Sequence, residues 1–124
     1  CIGEPGDIFK KVYMTVLDAQ AAALRIIKSG VTGGDADAAA REVIRQAGHG
    51  EDFGHSLGHG VGLAAHEAPR LSPGVTEPLM DGMVFTVEPG IYLSGWGGVR
   101  IEDTVVLEDG RLRMLSQAGK VRYD

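Results

Sequence analysis

A single cysteine, Cys1, stands among the 124 residues. No internal disulfide can form, and the expected setting is reduced and cytoplasmic. Lys and Arg never cluster into a run, and the net charge is −5. The chain therefore lacks the electrostatic footprint that nucleic acid or an anionic membrane surface would need. No apolar stretch approaches the roughly 18–20 residues of a membrane span, and no repeat or low-complexity tract is visible. Neither nucleic acid nor a membrane is an expected partner. The chain opens on Cys rather than Met and carries no signal-peptide pattern, which reads as a piece of a longer protein. At 44% hydrophobic residues it can bury one domain's core.

The first regular pattern begins at Asp7. Val12, Val16, Ala19, Ala23 and Ile26 recur at steps of four and three, the stripe of an amphipathic helix. Asp7 is its candidate N-cap and Gly30 its stop, after a strand end and turn over Cys1–Gly6. A second helix holds Ala39, Ala40, Val43, Ile44 and Ala47, capped by Asp35 or Asp37 and ended by Gly48. Pro69, Pro73 and Pro78 with Gly74 predict irregular chain over 69–82. Val84–Val87 is a strand, and Ile91–Leu93 continues past Pro89 as a kinked one. Val99–Leu107 is another, with Glu108-Asp109-Gly110 a tight turn into Arg111–Leu115. Two helices followed by antiparallel strands make the class α+β.

Three of the four histidines, His55, His59 and His66, fall within twelve residues of a glycine-rich stretch. Imidazole is both the commonest metal ligand and the usual acid or base near neutral pH, so nearby carboxylates decide its use. Glu88 ends one strand-like run and Glu102 lies in another. By alternation His55, Leu57 and His59 share a strand face, and Gly60 and Gly62 permit the bend that brings His66 round. Val84, Thr86 and Glu88 share a face, as do Arg100, Glu102 and Thr104, while Val99, Ile101 and Val105 face the core. Glu67 and Asp103 point away from the site and are expected at the surface. His49, alone, reads as structural or exposed, and Trp96 as a loop residue.

The blocks His59-Gly60-Val61-Gly62 with His66, Glu88-Pro89-Gly90-Ile91-Tyr92 and Val99-Arg100-Ile101-Glu102-Asp103-Thr104 together resemble the Xaa-Pro peptidases, aminopeptidase P and prolidase. The resemblance runs from the first helix to about Glu108. It implies half of a pita-bread fold, two helices packed on a curved antiparallel sheet, with residues 1–124 as the C-terminal part of the catalytic domain. It also implies His59, Glu88 and Glu102 as ligands of two divalent ions, manganese, cobalt or zinc, with Glu102 bridging. Glu88 would take the proton of the attacking water and His66 would contact the substrate. His55 would line the cleft, and Arg100 would join the network around the bridging carboxylate. The family's two aspartate ligands belong to an upstream hairpin that these residues do not match. The piece alone is therefore expected to be inactive, and to self-associate or dock with the missing half-domain. The competing expectation is a catalytically silent pita-bread module that binds peptides or proteins. Arg100 as a surface charge paired with Asp103 is the plain reading of that residue.

Overall fold

The apolar stripe through Val12, Val16, Ala19 and Ala23 is the buried face of helix α1, Asp7–Ile26, in a computed structural model that describes residues 3–123. Gly6, not Asp7, is the N-cap, and Asp7 is the first helical residue, where its charge still suits the positive helix end. The helix stops well short of Gly30 because Ile27 turns to extended backbone and is itself buried, in place of the half-buried Ile26. The expected strand end at Cys1–Gly6 lies partly outside the described residues, and no strand occupies the described part.

Helix α2, Gly33–Gln46, buries Ala36, Ala40 and Ile44 against α1. Its cap is Thr32, whose hydroxyl oxygen accepts from the Asp35 amide at 3.0 Å. Neither predicted aspartate caps it: Asp35 lies in the first turn and Asp37 points inward. On the wet face Arg45 grips Glu42 and, with Gln46, holds its carboxyl down to about 2 from the ordinary 4.5. The folded value is the lower one, so any stability from this pair is present above 4.5 and fades as pH falls toward about 2. A carboxyl-carbon NMR titration should find Glu42 still ionised well below 4.5, and Arg45→Ala should return it toward its ordinary range.

The strands are β1 Gly58–Gly60, β2 Glu67–Leu71, β3 Val84–Val87, β4 Gly90–Leu93, β5 Gly97–Arg100, β6 Asp103–Glu108 and β7 Arg111–Met114. Five form an antiparallel sheet in the order β2-β1-β3-β6-β7, and β4 pairs with β5 apart from it. Strand β2 corrects the expected irregular stretch. Pro69 cannot donate to a ladder, but β2 is an edge strand, where that is tolerated. The predicted long strand over Val99–Leu107 is also divided, because the chain passes from one sheet to the other at Ile101–Glu102. Glu88–Pro89 makes the matching crossing between β3 and β4. The Asp109-Gly110 turn has positive φ at both residues, which pairs β6 with β7 as the sequence predicts.

Alternation survives the break: Val99, Ile101, Asp103 and Val105 are buried, while Arg100 and Glu102 are exposed. Asp103 is thus not a surface residue. It shares the core face, and the Lys120 ammonium lies 2.6 Å from its Oδ2, off the hydrogen-bonding line of either oxygen. Glu67 is half-buried and folds back to accept from the Ala64 amide at 3.1 Å.

Candidate functional site

His59 is the middle residue of the three-residue strand β1, and its flanking glycines are there because the neighbours come so close. A Cβ at Gly58 would stand 1.9 Å from the Thr86 carbonyl oxygen, and one at Gly60 1.9 Å from that of Ala68. With nothing larger possible on either side, His59 is held between β2 and β3. The ring's Nδ1 lies 2.9 Å from the Gly60 carbonyl oxygen. An N–H there donates to that oxygen and leaves Nε2 with its lone pair facing Glu88 Oε1 at 3.1 Å. Two acceptors at that distance need a proton or a metal cation between them.

Glu88 is mostly buried and is oriented by Thr86, whose hydroxyl donates to Glu88 Oε1 at 2.7 Å and accepts the His59 amide at 3.1 Å. Arg100 Nε lies 3.9 Å from Glu88 Oε2 and 4.0 Å from Glu102 Oε2. It links the two glutamates rather than pairing with Asp103. Its guanidinium also donates to the Tyr92 hydroxyl at 3.2 Å. That bond first, and the two carboxylates after it, raise its pKa above an already high ordinary value, so it is a fixed cation.

His66 lies beside His59, with ring centroids 4.4 Å apart, because β1 ends at Gly60 and the chain returns as β2. A cavity of about 90 Å³ opens between Ser56, Gly58, His59, His66 and Arg70. A larger, mostly apolar hollow of about 400 Å³ borders β2 around Pro69, Val75 and Met83, and holds none of the three clustered histidines. His55 is not on a strand with Leu57 and His59. The strand begins only at Gly58, Leu57 is core, and His55 sits in the preceding loop. It joins the cluster through Tyr92, whose hydroxyl is 2.9 Å from His55 Nε2. His49 pairs with Asp52 at 2.9 Å on a short 3-10 turn, and Trp96 lies in the turn between β4 and β5.

Five contributors have no site role in the sequence reading. Tyr92 bridges His55 and Arg100, Thr86 bridges His59 and Glu88, Arg70 lines the histidine cavity, and Asp37 with Arg41 secures the loop that carries His55. Register contained a signal for Thr86 and Tyr92, which lie two before and four after Glu88. Arg70 is legible only once β2 is known to pair with β1, His59 against Arg70.

Among the described residues, no three His, Cys, Asp or Glu side chains are gathered closely enough to hold a metal ion. The chemistry of the donors nonetheless fits part of such a site. A histidine with a backbone-fixed tautomer faces one carboxylate, and a second carboxylate is reached through Arg100. Also among the described residues, no helix is long and apolar enough to cross a membrane.

Two helices thus lie on an antiparallel sheet, and the His59–Glu88 pair sits at a strand crossing. The family model of metallopeptidase family M24 matches residues 1–109, and the chain belongs to that family. It is 46% identical over 116 residues to an Xaa-Pro dipeptidase of Pyrococcus furiosus, covering 94% of this chain and 33% of that one. The X-Pro aminopeptidase structure from Thermotoga maritima matches with a TM-score of 0.93 at 52% identity, over 98% of this chain and 35% of that one. A prolidase structure from Thermococcus sibiricus matches with a TM-score of 0.95 at 46% identity, over 98% and 33%. The fold is that of part of these pita-bread proteins, and the chain spans about a third of the length of the relatives it matches.

Proposed function

We propose that residues 1–124 are the C-terminal part of a pita-bread catalytic domain whose whole protein hydrolyses Xaa-Pro peptide bonds, as an Xaa-Pro dipeptidase or aminopeptidase. The single observation that carries this is the His59 Nε2 to Glu88 Oε1 approach of 3.1 Å, a lone pair and a carboxylate set for one cation. His59, Glu88 and Glu102 would hold two divalent ions, manganese, cobalt or zinc, with two aspartates from an upstream hairpin. Bound there, the ions would supply an acidified water and polarise the scissile carbonyl at neutral pH.

The chain's own residues have separable tasks. Glu88 accepts a proton at its carboxylate, and Thr86 fixes which oxygen faces His59. His66, exposed beside His59, reaches the substrate's carbonyl region. Arg100 keeps Glu88 and Glu102 in a common field, and Tyr92 ties His55 to it. Arg70 offers a positive charge at the cavity, suited to an anionic end of a short peptide. A cytoplasmic location and a proline-containing peptide as partner belong to the same proposal, with no nucleic acid or membrane involved.

Hydrolysis of an Xaa-Pro dipeptide and an Xaa-Pro-containing tripeptide, by a form extended upstream through the hairpin, tests this. Preference for the dipeptide indicates a dipeptidase, and for the tripeptide an aminopeptidase. Absence of both turnover and metal binding in the extended form would transfer the claim to the silent binding module. Thr86→Val keeps the shape and removes the hydroxyl. It should weaken manganese binding by about 10–100-fold, the usual cost of losing a partner that orients a ligand, as read by titration calorimetry.

The piece on its own is proposed to be inactive and to self-associate or dock with the missing half-domain. Leu63 is fully exposed, and Ile8, Val61 and Met80 are about half exposed, a supply of apolar surface that water disfavours. Light scattering should report a species larger than a monomer at micromolar concentration, and a monodisperse monomer would contradict this.

A further inference from the structure

A polar residue interrupts the buried stripe of α1. Gln20 is 2% exposed, among Val16, Ala19 and Ala23. A buried amide is retained only where its hydrogen-bonding groups find partners. The Gln20 Nε2 donates to the carbonyl oxygens of Val87 at 3.0 Å and Ile101 at 3.2 Å. These two residues immediately precede Glu88 and Glu102. They also mark the two places where the chain leaves one sheet for the other, between β3 and β4 and between β5 and β6. The ladder thins at such crossings, and carbonyls there need another donor.

We propose that Gln20 is the positioning residue for both glutamates. One planar amide carries two hydrogens at fixed separation, so a single side chain from α1 sets how far apart the Val87 and Ile101 carbonyls stand. The backbone of Glu88 and Glu102 is thereby set as a pair. Arg100, between the two carboxylates on the outer side, is matched by Gln20 on the core side. The inference rests on the proposed reading only in treating the two glutamates as ligands. The clasp itself is a property of this chain.

The test uses the isotope-labelled chain with neither metal nor peptide, so its outcome is independent of any peptidase activity. Three amides are followed by hydrogen exchange. Glu88 donates to Leu57 at 2.8 Å, Ile101 to Pro89 at 3.3 Å, and Leu107, remote from the clasp, to Met83 at 3.1 Å. Gln20→Met keeps length and removes both donors. It is expected to speed exchange at Glu88 and Ile101 by about tenfold relative to Leu107, as local opening does, and to shift the Arg100 Nε–H signal. Gln20→Asn keeps the amide but is one methylene short of spanning both carbonyls, and should act in the same direction if the methionine variant folds poorly. Val16→Ala, one turn away on the same face, should lower stability while the three amides change together. The proposal is overturned if the Gln20 variants only destabilise, with Glu88 and Ile101 moving in step with Leu107 and the Arg100 signal unchanged.

Discussion

Asp37→Ala is expected to lower stability by about 3–5 kcal/mol, the usual cost of removing one partner from a buried ion pair. The Asp37 side chain is 2% exposed, and both its oxygens are engaged by Arg41, Nε at 2.8 Å and the terminal nitrogen at 2.9 Å. Oδ1 also accepts the Leu57 amide at 3.0 Å. Arg41 in turn donates to the carbonyls of Phe53 at 2.8 Å and His55 at 2.9 Å, and lies over the Phe53 ring. Loss of the carboxylate leaves a part-buried guanidinium and a buried amide without their acceptor. Since a domain of this kind is stable by only about 5–15 kcal/mol in all, urea unfolding should show a large drop in midpoint. Removing Glu42 from its exposed pair with Arg45 should change it little. Equal effects from the two substitutions would mean that the loop before His59 is held by packing alone.

Glu88→Gln in the extended form should lower the turnover of an Xaa-Pro peptide by about 10²–10⁴-fold, the range for loss of a positioned acid or base. The substitution keeps the shape but not the charge. Thr86 can still donate to the amide oxygen, so the strand crossing should remain, and circular dichroism should be unchanged. An unchanged turnover would remove Glu88 from the chemistry. An equal loss with a melted fold would show only that the residue is structural.

Much of this arrangement could be read from residue order. The three-and-four spacing in α1 and the alternation through Val99–Val105 depend on local geometry, which sequence carries directly. The same alternation placed Asp103 on the core face. Its polarity reads as exposure because the compensating Lys120 is 17 positions away and has no sequence signal pointing to it. Strand β2 was hidden by Pro69, since nothing local says that a strand will lie at a sheet's edge. The helix caps differ for a related reason: Asp37 has a good capping side chain, but Arg41 one turn on and the distant Leu57 amide claim it. The histidine and glutamate motifs stood out because glycines and β-branched residues frame them. Gln20, Tyr92 and Arg70 act through contacts between distant segments, and only the folded chain assembles those.

The most direct test of the central claim is Xaa-Pro dipeptide hydrolysis in manganese or cobalt by residues 1–124, beside a form extended upstream through the aspartate hairpin. The account predicts turnover by the longer form alone, abolished by chelation and restored by metal. Turnover by residues 1–124 alone would contradict it, because the chain's own acids would then complete the site.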